Sequence, residues 1–281
     1  MSSRRQQSAI EEFLSTGEVD ERYPAWEGRT FVDSARIGST QLRQALVARV
    51  KELAAKGTRP PTPLPANPSA QTRTKVEPMV RGLFPKAEQS VVLATLQQSV
   101  VFVTDDNIET ILLDASFHSS AWAIAAVYLG SVGAEPLGPT APRIVGLSEH
   151  TTCYVSPEYC RDGDPFADFV VHECAHIFHN CKRHTLGLKE TRRREWLLDI
   201  AYLKRETFAY ACEAYPSHQE SLRSKGRGLF HCGRRQLPSH GPERAGASRL
   251  VGQPDDAVAQ LPAGHRRRRQ PTFSISLRQT G

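Results

Sequence analysis

Apolar residues recur at helical spacing in several parts of the chain. Leu42, Leu46, Val50 and Leu53 share one face of a helix predicted over Ser39–Lys56, with Arg and Lys opposite, and a shorter helix is predicted at Ser8–Leu14. Ala87–Gln98 reads as a further helix, and Val100–Thr104 (VVFVT) as a buried strand. Asp105 or Asp106 can cap the next helix, which is expected to run to about Val132 with Ile108, Ile111, Leu112 and Ala115 on one face. A turn rich in Gly and Pro (GAEPLGPTAP) precedes two short predicted strands, Arg143–Leu147 and Thr152–Ser156. Asp164-Pro165 then offers an N-cap and a first-turn proline to a helix carrying Val170–Phe178. A last helical pattern covers Thr191–Tyr215.

Two changes of composition divide the chain. GTRPPTPLPANPSAQT holds five prolines between Pro60 and Pro68, which favours an extended linker over a packed element. The expected organisation is a helical region at 1–58, a Pro-rich linker at 59–74, one larger domain at 75–215 and a low-complexity basic tail at 216–281. The tail starts inside a well-formed helical pattern. A disordered basic arm would account for it, but a shift of reading frame accounts better for so abrupt a break.

The net charge of +6 is unevenly placed. From Leu222 onward twelve Lys and Arg stand against three acids, so the preceding body is mildly acidic. Only the tail, with Arg266–Arg269, suits nucleic acid, and a nucleic-acid-binding function for the whole chain is disfavoured. The first residues, MSSRRQQSAIEE, lack the apolar core of a signal peptide, and the longest apolar run, Ala121–Leu129, is too short to span a bilayer. The six cysteines form no CxxC pair, so free thiols in a cytoplasmic protein are expected.

The chemistry concentrates in VVHECAHIF. His172 and His176 stand four apart and so share one helix face, a spacing that directs two imidazoles at one metal ion. Glu173 lies about 100° round the helix, where it can act on a water at that ion. Uncharged flanks suit a buried helix, since a neighbouring charge would be desolvated without a partner. This HExxH arrangement points to a Zn2+-dependent hydrolase acting on a peptide or protein substrate, with Glu173 as general base.

A catalytic zinc needs a third protein ligand. His179 lies about 10 Å along the axis from His172, too far to complete the set, and is expected to support the site from behind or face the surface. Within Thr191–Tyr215, Glu195, Asp199, Glu206 and Glu213 fall on one stripe of the predicted helix. Glu206 is preferred as the ligand over Glu195, which follows the exposed run Arg192-Arg193-Arg194. Tyr202, Tyr210 and Tyr215 are the candidates for stabilising an oxyanion, and Asp168 could orient an imidazole.

These residues resemble the zincin metallopeptidases over roughly Val76 to Tyr215. Glu195 gives HExxH-x18-E, with Asp199 completing ExxxD, whereas Glu206 opens ETFA, an ExxA pattern; both resemble gluzincins. The longer HExxHxxGxxH pattern is absent, with Lys182 where its third His would stand. The resemblance implies an α+β, zincin-like fold: a small sheet packed on helices with the HExxH helix central. It also implies an edge strand that pairs with an extended substrate, for which Thr152–Ser156 is the candidate. The competing function is a regulatory or binding protein that keeps a structural or vestigial metal site.

Overall fold

The computed structural model describes residues 2–160, 168–192 and 194–214, together with the backbone of Ser274–Leu277. The chain divides into two compact units, residues 1–221 with 272–281, and residues 222–271. The second unit, and with it most of the basic tail, lies outside the described residues.

The first unit is α+β. Helices α1 (Ser2–Thr16), α2 (Phe31–Ala54), α3 (Pro68–Leu83) and α4 (Lys86–Ser99) lead into strand β1 (Val100–Phe102). Helices α5 (Ile108–Asp114) and α6 (His118–Ser131) precede β2 (Ile144–Glu149) and β3 (Thr152–Val155). Helix α7 (Phe169–Asn180) follows, then α8 at 205–214, and finally β4 (Ser274–Leu277).

The sheet is small and mixed, in the order β1-β3-β2-β4. β3 pairs parallel with β1 through Val101↔Tyr154 and antiparallel with β2 through Leu147↔Tyr154. The expected edge strand, Thr152–Ser156, is therefore an interior strand. The tight β2–β3 hairpin takes one side of β3, and β1 takes the other.

Each face of the sheet carries its own core. On one side Leu147 and Ile144 pack with Phe13, Leu42, Leu46, Trp122 and Ile124 from α1, α2 and α6. On the other, Cys153, Val155 and Phe102 pack with Val76, Val80, Leu96, Ile177 and Phe178 from α3, α4 and α7. The helices of residues 1–58 thus share a core with β2 and α6, with no separate core of their own. Trp122 Nε1 donates to the Leu14 carbonyl at 3.0 Å, tying α1 down.

The proline-rich stretch is only partly extended. Asn67 Oδ1 accepts from the Ala70 N–H and Pro68 occupies the first turn, so 68–83 is helical where a linker to 74 was expected. Arg59 is also anchored, by its N–H to the Val132 carbonyl at 3.0 Å and by an ion pair with Glu158. The single helix expected from 105 to 132 is two, broken at Ala115–Phe117. Ala115 leaves the helical region at ψ 140° and Phe117 is extended, so the chain turns between α5, which exposes Leu113, and α6, which is buried around nearly its whole circumference.

The predicted helix at Thr191–Tyr215 is helical only from 205, after a single turn at Tyr202–Lys204. The backbone before it serves another purpose. Leu198 N–H donates to the Phe178 carbonyl at 2.7 Å and Leu197 N–H to Cys181 at 3.0 Å. These bonds satisfy carbonyls that α7 leaves open at its C-terminus.

Two outcomes test this architecture. Phe13 is fully buried, so Phe13→Ala should destabilise by about 3–5 kcal/mol and shift the whole urea transition of the first unit, as a shared core requires. A separate N-terminal transition would contradict it. Burial, with the charge of Arg43 adding, lowers the His118 pKa from 6.5 to about 4. Between those values the unfolded chain binds a proton that the folded chain refuses, so this contribution is full above pH 6.5 and is lost as pH falls toward 4. The urea midpoint of His118→Phe should therefore fall less over that interval than that of the parent chain.

Candidate metal centre

Helix α7 begins where Asp168 Oδ1 accepts from the Val171 N–H at 3.2 Å. This cap stands four residues later than the expected Asp164, which lies outside the described residues together with Pro165. Every residue from Phe169 to His179 is buried. Valine, alanine and cysteine let β3, α3 and α8 close around the helix, and the polar side chains of the motif are sealed in with them.

His172 and His176, both 0% exposed, turn their Nε2 atoms toward each other at 3.2 Å. Glu206, from the first turn of α8, straddles the pair. Its Oε2 is 3.6 Å from His172 Nε2 and its Oε1 is 3.6 Å from His176 Nε2. A tetrahedral ion with ligand bonds near 2.1 Å sets its ligand atoms about 3.4 Å apart. The two nitrogens at 3.2 Å, and the 3.6 Å from each nitrogen to one oxygen of the Glu206 carboxylate, are close to that spacing. These three residues form a group that could hold a metal ion, and among the described residues no other such group occurs.

The far nitrogens are tethered. His172 Nδ1 lies 3.1 Å from Glu213 Oε2, and His176 Nδ1 lies 3.1 Å from His179 Nε2. His179 Nδ1 in turn meets Asn180 Oδ1 at 3.2 Å. A carboxylate and an amide oxygen can only accept, so hydrogens on the three Nδ1 atoms run outward and leave both facing Nε2 atoms as the inner pair. His179 is buried behind the site, the first of its two expected positions.

Proton distribution follows the same geometry. Burial works against a charge on His172, but hydrogen bonds to Glu206 and Glu213 and the charge of Glu173 overcome it and raise its pKa to about 9. Burial, with the charges of His172 and His179 adding, lowers His176 to about 2. The pair therefore holds one proton between two inward nitrogens, at the point where a cation would bind both.

Glu173 is fully buried against β2. Ser148 Oγ donates to its Oε2 at 2.8 Å, while Oε1 has no hydrogen-bond partner among the described residues. Gly146, two positions along the same face of β2, makes room. A Cβ there would sit 2.7 Å from Glu173 Oε1, closer than any real contact. Burial raises the Glu173 pKa to about 7, against the opposing effects of His172 and the Ser148 hydroxyl.

The other sequence candidates separate cleanly. Glu195 is exposed and paired with Lys182 at 2.7 Å, and Asp199 is exposed, so neither reaches the histidines. Asp168 does not orient an imidazole: besides the α7 cap, it accepts from Tyr159 Oη at 2.8 Å and pairs with Lys75 at 2.5 Å. The Tyr210 ring stands edge-on to His172 with centroids 4.6 Å apart, whereas Tyr202 lies beneath Arg205. Tyr215 is outside the described residues. Sequence reasoning missed Ser148 and Gly146, which only strand pairing brings beneath Glu173. Alternation along β2 was the available signal.

No protein-family model, curated protein or solved structure matches the chain. The ligand set makes its own test. Titration with a divalent metal ion should show Glu206→Ala weakened by more than about 100-fold, since loss of outer partners alone costs 10–100-fold. Glu195→Ala should bind as the parent chain does, and the reverse order would contradict the assignment.

Proposed function

We propose that the chain is a zinc-dependent metallopeptidase of gluzincin type, with His172, His176 and Glu206 as ligands and Glu173 as general base. The observation that carries this reading is the convergence of both Nε2 atoms and one carboxylate within 3.6 Å beside a buried glutamate with an unpartnered oxygen. Two imidazoles and one carboxylate suit zinc and leave its fourth position for water or substrate. The third ligand arrives from a helix after the motif, which supports the gluzincin arrangement and a zincin-like fold around it.

Zinc held by His172, His176 and Glu206 would supply a Lewis acid and a water of lowered pKa. The chain supplies the rest. Glu173 stands one residue from His172 and takes the proton of the attacking water, then returns it to the leaving amine. Ser148 holds one Glu173 oxygen, which leaves the other to receive the proton. Tyr210, whose ring touches His172, is better placed than Tyr202 to donate to an oxyanion.

The competing reading, a structural or vestigial metal site, is less favoured. Structural zinc sites are closed by four protein ligands, whereas the Glu206 side chain is 45% exposed and, among the described residues, the ligand set stops at three. Four of the cysteines, Cys153, Cys174, Cys181 and Cys212, are free and buried, which supports residence in a reducing cytoplasm. Among the described residues no helix is long and apolar enough to cross a membrane.

Glu173→Gln separates the two readings. The variant should keep one zinc per chain and lose about 10²–10⁴-fold in cleavage of a mixed peptide substrate. Cleavage retained at the parental rate would defeat the mechanism.

A further inference from the structure

We infer that Glu213 is a positioning residue for the metal centre, one carboxylate that sets both the ring of His172 and the start of the ligand helix. The inference rests on the metal reading of the site. Glu213 follows Glu206 by seven residues, nearly two full turns, so both carboxylates leave one face of α8 about 10 Å apart. α8 runs against the direction of α7. Glu206 therefore meets His172 and His176, while Glu213 meets Asp168 and His172.

The two acids differ in setting. Glu206 is half-exposed at the open side of the site, whereas Glu213 is only 6% exposed. A carboxylate this deeply buried needs a donor for each oxygen. Glu213 Oε1 accepts the Asp168 N–H at 2.7 Å, and Oε2 stands 3.1 Å from His172 Nδ1. The first bond places the residue that caps α7. The second requires a hydrogen on Nδ1, because a carboxylate cannot donate to a bare nitrogen. In the metal-loaded chain Nε2 is then the ligand atom, held in the direction that Glu206 and His176 also face. Asp168 cannot do this, since its oxygens are taken by Val171, Tyr159 and Lys75. A side chain that filled the same space without accepting from Nδ1 would leave the ring free to turn and the tautomer unset.

Zinc alone, titrated against a chromophoric chelator, tests the role. In Glu213→Gln the amide oxygen can still accept from Asp168, but its NH2 then faces His172 Nδ1 and favours hydrogen on Nε2. Zinc affinity should fall by about 10–100-fold, with far-UV circular dichroism of the metal-free variant unchanged. Equal affinity in a parent chain that binds zinc and in the variant overturns this proposal alone. A parent chain that takes up no zinc overturns the metal reading as well. Should the variant not fold, the zinc-loaded parent chain decides by NMR. A His172 Nδ1 proton protected from water exchange is expected, and a freely exchanging one overturns the proposal.

Discussion

Two imidazole nitrogens face each other at 3.2 Å in the interior of a helical layer, with a carboxylate across both. Bare, their lone pairs repel; doubly protonated, their hydrogens collide and two charges are buried together. Only one small cation, a proton or a metal ion, satisfies both. The surrounding structure maintains that constraint. Glu213 and His179 hold the far nitrogens, so the rings cannot turn away, and α8 carries Glu206 in from the opposite side. The segment before α8 closes the C-terminal end of α7, which keeps the helix from fraying toward solvent.

The sheet contributes the second half of the site. Gly146 and Ser148 lie on one face of β2, so one opens space for Glu173 and the other donates to it. The opposite face of β2, at Leu147, joins the core built by α1, α2 and α6. Helices far from the motif in sequence thereby brace the strand against which Glu173 rests. The small mixed sheet acts as a partition, with the chemistry on one side and the supporting core on the other.

Much of this was legible from residue types alone. The i, i+4 histidines and Glu173 need only a helix to become a site, and apolar flanks announced that helix. Glu206 comes to the histidines and Glu195 does not, because residues before 202 leave the helix to bond the end of α7, a tertiary demand that overrides helical periodicity. Helix α2 starts before the predicted Ser39 because the capping box at Thr30 and Asp33 precedes the apolar stripe. The extended stretch ends earlier than composition suggests because proline marks helix starts as well as extended chain, and Asn67-Pro68 is such a start. Edge and interior strands cannot be told apart by composition when both are short, and β3 is interior where an edge strand is expected.

Whether the inward nitrogens and Glu206 enclose one metal ion is measured most directly by metal content. The protein, purified without chelators or an affinity tag that binds metal and assayed by inductively coupled plasma mass spectrometry, should carry one zinc per chain, absent from His172→Ala/His176→Ala. A folded chain that holds no zinc and takes up none on dialysis against it would contradict the account.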